Sequence, residues 1–193
     1  MVQEELENKK LNYGCLLLGS HFNMHIYLIG FMAVGKTTFG KRLAKALSMP
    51  FLDTDNLIEQ RTNNSIERLF IEKGEEAFRE IEAHVLRNLP NEKPHVIATG
   101  GGLPCYHDNM LFMKNEGLTV YLKAEPAFIF SRLVRAKRPR PLVKGLKGDE
   151  LLQFITRKLT ERIPFYAQSE VVIELPEKSD ESLVNTVVLA YKR

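Results

Sequence analysis

Cysteine is scarce: of 193 residues, only Cys15 and Cys105 carry a thiol. Two such residues with no CxxC pair make no disulfide framework, and the five histidines complete no metal-ligand spacing with them. A reducing, cytoplasmic setting is the expectation. Long apolar runs are missing too. The first 24 residues hold acidic "EELE" and only "CLLLG" as an apolar run, too short for a signal core or a membrane span. Residues 1–24 therefore read as a loosely ordered N-terminal extension, with Met24 a candidate functional start. A large excess of either sign of charge is also lacking. With 27 basic and 24 acidic residues the net charge is +3, too small to argue for nucleic acid or a membrane surface.

What is present is enough for one buried core: 44% of residues are hydrophobic and 26% charged. A single domain is expected over 25–193. Short apolar runs bounded by turn residues fall at 25–30, 50–54, 95–100, 118–122 and 170–175, and read as buried strands. Helical periodicity fills 36–48, 65–74, 75–89, 126–137 and 149–163 between them. This alternation predicts a parallel sheet with helices on both faces, whose ligands sit at the carboxyl ends of the strands.

The run "GFMAVGKTT" (30–38) fits G-x-x-x-x-G-K-[ST] in the required setting, after a strand and before a helix. Backbone N–H groups and a helix N-terminus surround a di- or triphosphate there, with Lys36 on the terminal phosphates and the Thr37 hydroxyl on Mg²⁺. Gly30 and Gly35 let the backbone approach closely. At ordinary glycine frequencies such a match arises by chance in under about 1% of chains this long.

Further candidates cluster at the same predicted sheet edge. Asp53 and Asp55, two apart in "PFLDTD", can point the same way from the end of the second strand. One suits Mg²⁺ held through water and the other a proton from a substrate hydroxyl; the alternative is that one caps the following helix, with Thr54 as competitor. Arg79 and Glu82 lie three apart on one helix face, as an ion pair that holds the guanidinium or as a plain surface bridge. Gly100, Gly101 and Gly102 follow the third strand and either admit a ligand to the backbone or form a flexible turn. From Arg132 to Lys147 run seven basic residues and no acidic one, around the Pro/Gly-rich connection 138–149. A loop of that kind can close on a migrating phosphoryl group with an arginine, or simply be solvated. Nucleic-acid binding fits less well, because Phe128 and Phe130 fall in an apolar helical pattern. Arg162 in "TERIPFY" sits near the end of a helix expected to stop at Pro164, as a ligand clamp or a dipole partner. His84, His107 and Cys105 read as structural.

In order, "GFMAVGKTT", "FLDTD", "FREIE", "GGG", an "RPL" lid and "RIPFY" resemble the shikimate kinase family over residues 25–175. Ala33 stands where many of its members carry glycine, and Val34 is β-branched in a cradle where small residues are common. The resemblance implies a three-layer αβα, P-loop, nucleoside-monophosphate-kinase-like fold with a five-stranded parallel sheet ordered 2-3-1-4-5 and a lid at about 136–149. It implies transfer of a phosphoryl group from ATP to the 3-hydroxyl of shikimate, a step toward chorismate and the aromatic amino acids, with Mg²⁺ as cofactor. Carried over by position, Gly30, Ala33, Val34, Gly35, Lys36, Thr37 and Thr38 cradle the phosphates. Asp53 joins Thr37 at the metal. Arg132, rather than Arg135, stacks on adenine, and Arg140 of the lid reaches the phosphates. Asp55, Arg79, Gly100, Gly101, Gly102 and Arg162 bind the acceptor, the two arginines on its carboxylate. Lys36, Asp55 and Arg140 form the catalytic set. A cytoplasmic monomer working on shikimate and ATP, apart from nucleic acid and membranes, is the expected setting. A gluconate or nucleoside-monophosphate kinase, and a non-catalytic nucleotide-dependent binding module, are the alternatives.

Overall fold

The structure is a computed structural model that describes residues 24–136, 141–143, 145–175 and 180–192. Its sheet is built from β1 (His25–Ile29), β2 (Phe51–Asp53), β3 (Val96–Ala98), β4 (Gly117–Ala124) and β5 (Val171–Leu175), all parallel and ordered β2-β3-β1-β4-β5. This is the expected P-loop kinase topology. Ile26 to Ile29, Val96 to Ala98 and Leu118 to Leu122 are near-continuous buried runs, the pattern of central parallel strands covered on both faces. β5, at the edge, alternates instead. Because Leu28 is level with both Ala98 and Val120, β1 and β3 end close together, where Gly30 and Gly100 emerge side by side, while β4 runs on to Ala124.

Helices α1 (Lys36–Leu47), α2 (Thr54–Thr62), α3 (Ile66–Arg87), α4 (Asn109–Glu116), α5 (Pro126–Val134), α6 (Gly148–Tyr166) and α7 (Asp180–Tyr191) flank the sheet. α1 buries Phe39, Leu43 and Ala44 on the side it turns to β1, β2 and β3. The two helical stretches expected over 65–89 join as α3 but break at Gly74, whose φ of 80° and ψ of 174° are outside helical space. A glycine takes that left-handed φ without the penalty a Cβ would add.

Three readings of the sequence need correction. α4 carries "NMLFMKNE" without helical spacing of its apolar residues, and it was not legible as a helix. Nor was α7, rich in β-branched residues, where burial of Leu183, Val184, Val187 and Tyr191 overrides weak propensity. Pro164 does not stop α6: the helix runs on to Tyr166, since a proline in the last turn removes a single N–H bond and the buried Tyr166 anchors the end. The expected N-terminal extension, apart from Met24, lies outside the described residues. Among the described residues no helix is long and apolar enough to cross a membrane.

Gly40 marks the closest approach of α1 to the sheet: a Cβ there would lie 2.5 Å from the Phe51 ring and 2.8 Å from Leu28 Cδ1. Gly40→Val is expected to cost about 1–3 kcal/mol of stability by overpacking. Thermal or urea unfolding checks this, and a loss below about 0.5 kcal/mol would contradict the tight helix-to-sheet contact.

Candidate active site

The loop between β1 and α1 wraps an anion cradle. Gly30 (φ 148°) and Gly35 (φ 107°) take conformations closed to most side chains, and Gly35 caps α1 with no side-chain bond, so the first N–H groups of the helix face the loop. Ala33 also sits in the left-handed region, at φ 63°, the conformation that glycine reaches without strain. Val34 is buried beneath the loop and packs toward Gly30. Lys36 Nζ donates to the carbonyls of Gly30 (2.7 Å) and Phe31 (2.8 Å), which folds the ammonium into the cradle. Thr37 and Thr38, in the first turn of α1, are exposed at its mouth. Arg132 reaches across from α5: its Nη2 is 3.5 Å from where a Cβ on Gly35 would be. Arg135, the alternative, ends α5 as its C-cap.

Asp53 and Asp55 are not neighbours on one strand face. β2 ends at Asp53 and α2 starts at Thr54, so the turn of the helix sends the two carboxylates in different directions. Asp53 caps α2 through Asp55 N (3.1 Å) and accepts the Thr37 hydroxyl (2.9 Å) with its other oxygen. The capping role and the place beside Thr37 therefore hold together. Asp55 instead faces the second half of the site.

That half is a cleft open to solvent, with Asp55, Arg79, Glu82, Gly100, Gly101, Gly102 and Arg162 on its polar side. Phe70 and Phe78 of α3, Met32 and Leu142 supply the apolar side. Arg79 and Glu82 form a buried ion pair at 2.5 Å rather than a surface bridge. Burial lifts the Glu82 carboxyl to about 7; Arg79 opposes the shift and the Asp55 charge adds to it. Burial works against the charge on Arg79 as well, but Glu82 and Glu75 outweigh it and hold the guanidinium firmly protonated. Arg162, also buried, lies with its Cζ 5.2 Å from the Phe31 ring centre.

The three glycines are bare because charged groups press on them. A Cβ on Gly100 would be 2.7 Å from Glu82 Oε1 and 2.8 Å from Asp55 Oδ1; on Gly102 it would be 2.6 Å from Arg79 Nη1; on Gly101, 3.4 Å from Arg162 Nη1. The platform is fixed from below, not flexible. Gly100 N–H donates to the buried Thr54 hydroxyl (2.9 Å), and the Tyr166 hydroxyl donates to the Gly101 carbonyl. Neither Thr54 nor Tyr166 was assigned a place in the site from sequence, although both stand inside motifs already noticed. Burial raises the Tyr166 phenol well above its ordinary value and the Cys105 thiol to about 11, so both stay neutral. His84 is exposed on α3 and His107 lies in the loop before α4, apart from the cleft. Arg140 lies outside the described residues.

Known proteins resemble the chain that carries this cradle and cleft. The family model described as shikimate kinase fits residues 32–192. The chain belongs to the shikimate kinase family. A shikimate kinase of Bacteroides fragilis is 44% identical over 165 residues, 86% of this chain and 92% of that protein. The crystal structure of shikimate kinase from Bacteroides thetaiotaomicron is similar with a TM-score of 0.83 and 40% identity, covering 89% of this chain and 99% of that one. Shikimate kinase from Acinetobacter baumannii, solved in complex with shikimate, gives a TM-score of 0.78 at 34% identity, covering 86% and 92%.

The backbone of Gly102 (φ −91°, ψ −22°) would admit alanine, and the nearest atoms its Cβ would meet belong to Arg79. Gly102→Ala is expected to cost about 1–3 kcal/mol of stability by crowding the buried Arg79. It should weaken binding of a carboxylic acid in the cleft by about tenfold, because the guanidinium must move, and calorimetry with matched unfolding curves reads both. Unchanged affinity would show that Arg79 does not set the site.

Proposed function

We infer that the chain is an ATP-dependent kinase that phosphorylates the 3-hydroxyl of shikimate, in the branch leading to chorismate and the aromatic amino acids. The observation that carries this reading is the division of the site: a P-loop on one side, and on the other a cleft where Asp55 stands beside two buried guanidiniums. A small hydroxylated acid suits the second half, since guanidinium groups pair with carboxylates in a directed, charge-assisted way. Similarity to shikimate kinases at 34–44% identity over most of the chain tells against a nucleoside-monophosphate kinase. A passive binding module would leave the Asp55, Arg79 and Arg162 cluster without a use.

The residues at the cradle also fit Mg²⁺ bound with the nucleotide. Thr37 and Asp53 already share a hydrogen bond, and a hard cation takes a hydroxyl and a carboxylate, directly or through water, alongside phosphate oxygens. Among the described residues no group of three or more His, Cys, Asp or Glu gathers to hold a metal by itself. When bound, the ion neutralises phosphate charge. Lys36 and the N–H groups of the cradle orient the triphosphate, and Arg132 lies against the adenosine end. Arg79 and Arg162 take the acceptor's carboxylate and the glycine platform its ring, which leaves a hydroxyl beside Asp55. Asp55 accepts the hydroxyl proton as the oxygen bonds to the γ-phosphorus, and the bond from that phosphorus to the bridging oxygen breaks to release ADP. Arg140, on the lid, stabilises the moving charge in this scheme. We place the enzyme in the cytoplasm, acting as a monomer.

Coupled ADP release with shikimate, ATP and Mg²⁺ tests the reading: turnover that requires shikimate is expected, and brisk ATP hydrolysis indifferent to it would refute it. The Glu82 environment adds a pH dependence. An anion arriving beside Glu82 favours its protonated form, so binding takes up a proton and affinity falls as pH rises through the Glu82 value of about 7. Shikimate is therefore expected to bind more weakly on the alkaline side of neutrality than on the acid side. Calorimetry in buffers of different ionisation enthalpy checks it, with the dependence absent in Glu82→Gln.

A further inference from the structure

Two residues that do not line the cleft hold Arg79 from outside it. Glu75 Oε1 accepts from Arg79 Nη2 at 2.8 Å, while Glu82 occupies Nη1. The Glu75 side chain is 55% exposed and that of Glu82 only 2%. Tyr106, which follows the glycine platform and the short 3-10 turn Leu103–Cys105, lays its ring 4.5 Å from the Arg79 Cζ and donates its hydroxyl to the same Glu75 oxygen at 3.3 Å. Its hydrogen bond to Arg79, first, and the nearby charge hold the Glu75 carboxyl below its usual range. The Arg79 Nε is buried with no partner.

This pattern has a geometric consequence. One glutamate on one nitrogen leaves a guanidinium free to swing about that contact. Acceptors on both terminal nitrogens fix the in-plane direction, and an aromatic ring against the face fixes the tilt. Of the three guanidinium nitrogens, Nε is then the one with no partner. Glu75 also sits immediately after the Gly74 break, at the start of the second half of α3. Phe70 lies before the break and packs across it on Phe78, with ring centroids 4.3 Å apart.

We propose that Glu75 and Tyr106 are positioning residues: from outside the cleft they hold the Arg79 guanidinium so that its unpartnered Nε–H meets the carboxylate of the acceptor. The proposal rests on the shikimate kinase reading and adds to it two residues that touch no substrate. Glu75, being half exposed, can be removed without leaving an unpaired charge in the core, which separates positioning from folding.

The test is steady-state kinetics with shikimate and ATP varied separately, beside thermal unfolding. Glu75→Ala should raise the KM for shikimate about fivefold, with kcat and the KM for ATP within about twofold, consistent with the loss of one charge-assisted hydrogen bond. Glu75→Gln keeps an oxygen facing Nη2 and should recover most of the loss. Tyr106→Ala should act in the same direction as Glu75→Ala, Tyr106→Phe less, and the double alanine variant should be no worse than about the larger single effect. An unchanged KM for shikimate in Glu75→Ala would overturn the proposal. So would a lower one, which would make Glu75 a competitor of the substrate, and so would parallel loss of stability and of both KM values. Absence of shikimate turnover in the parent protein would instead refute the function on which the proposal stands.

Discussion

The contact on which the rest of the site depends is the buried ion pair between Arg79 and Glu82. A guanidinium and a carboxylate stripped of water are costly to place together, and removing one partner of such a pair typically costs about 3–5 kcal/mol. The structure meets that cost by setting the pair on one helix, three residues apart, against a platform with no side chains. Gly100 makes room for Glu82 and Asp55, and Gly102 for Arg79. The platform in turn is tied to Thr54 and Tyr166. Three motifs far apart in the chain thus meet at one charge.

A second constraint is the tripeptide Asp53-Thr54-Asp55. The strand ends and the helix begins within it, so three consecutive side chains serve three places: the P-loop hydroxyl, the glycine platform and the acceptor cleft. The chemistry calls for such a junction, because the phosphoryl group passes from the nucleotide half to an oxygen held only about 3–3.5 Å away in the other. A longer strand would have placed both carboxylates on a single side.

Much of this was legible in the sequence, for physical reasons. The P-loop imposes glycines and a lysine at fixed spacing, so residues 30–38 announced the cradle and the first strand-to-helix turn. Strand order came from the family resemblance, because buried parallel strands all look alike. What escaped was contact made across the chain. The Thr54 hydroxyl beneath Gly100, the Tyr166 hydroxyl on Gly101 and the Tyr106 ring against Arg79 join residues 27 to 65 positions apart, and no local pattern signals them. α4 escaped because its apolar residues form one consecutive run, and α7 because β-branched residues obscured the helical spacing of Leu183, Val184, Val187 and Tyr191. The different directions of Asp53 and Asp55 escaped because a two-residue period was carried one step past the end of the strand.

The central claim is that an acceptor carboxylate is received by an arginine already immobilised by Glu82. A crystal structure of the chain with shikimate and ADP tests it most directly. The account predicts the carboxylate within hydrogen-bonding distance of Arg79 Nε and of Arg162, a ring hydroxyl beside Asp55, and the Arg79–Glu82 pair unbroken. A carboxylate bound away from both arginines, or an Arg79 that has left Glu82 to reach it, would contradict the account.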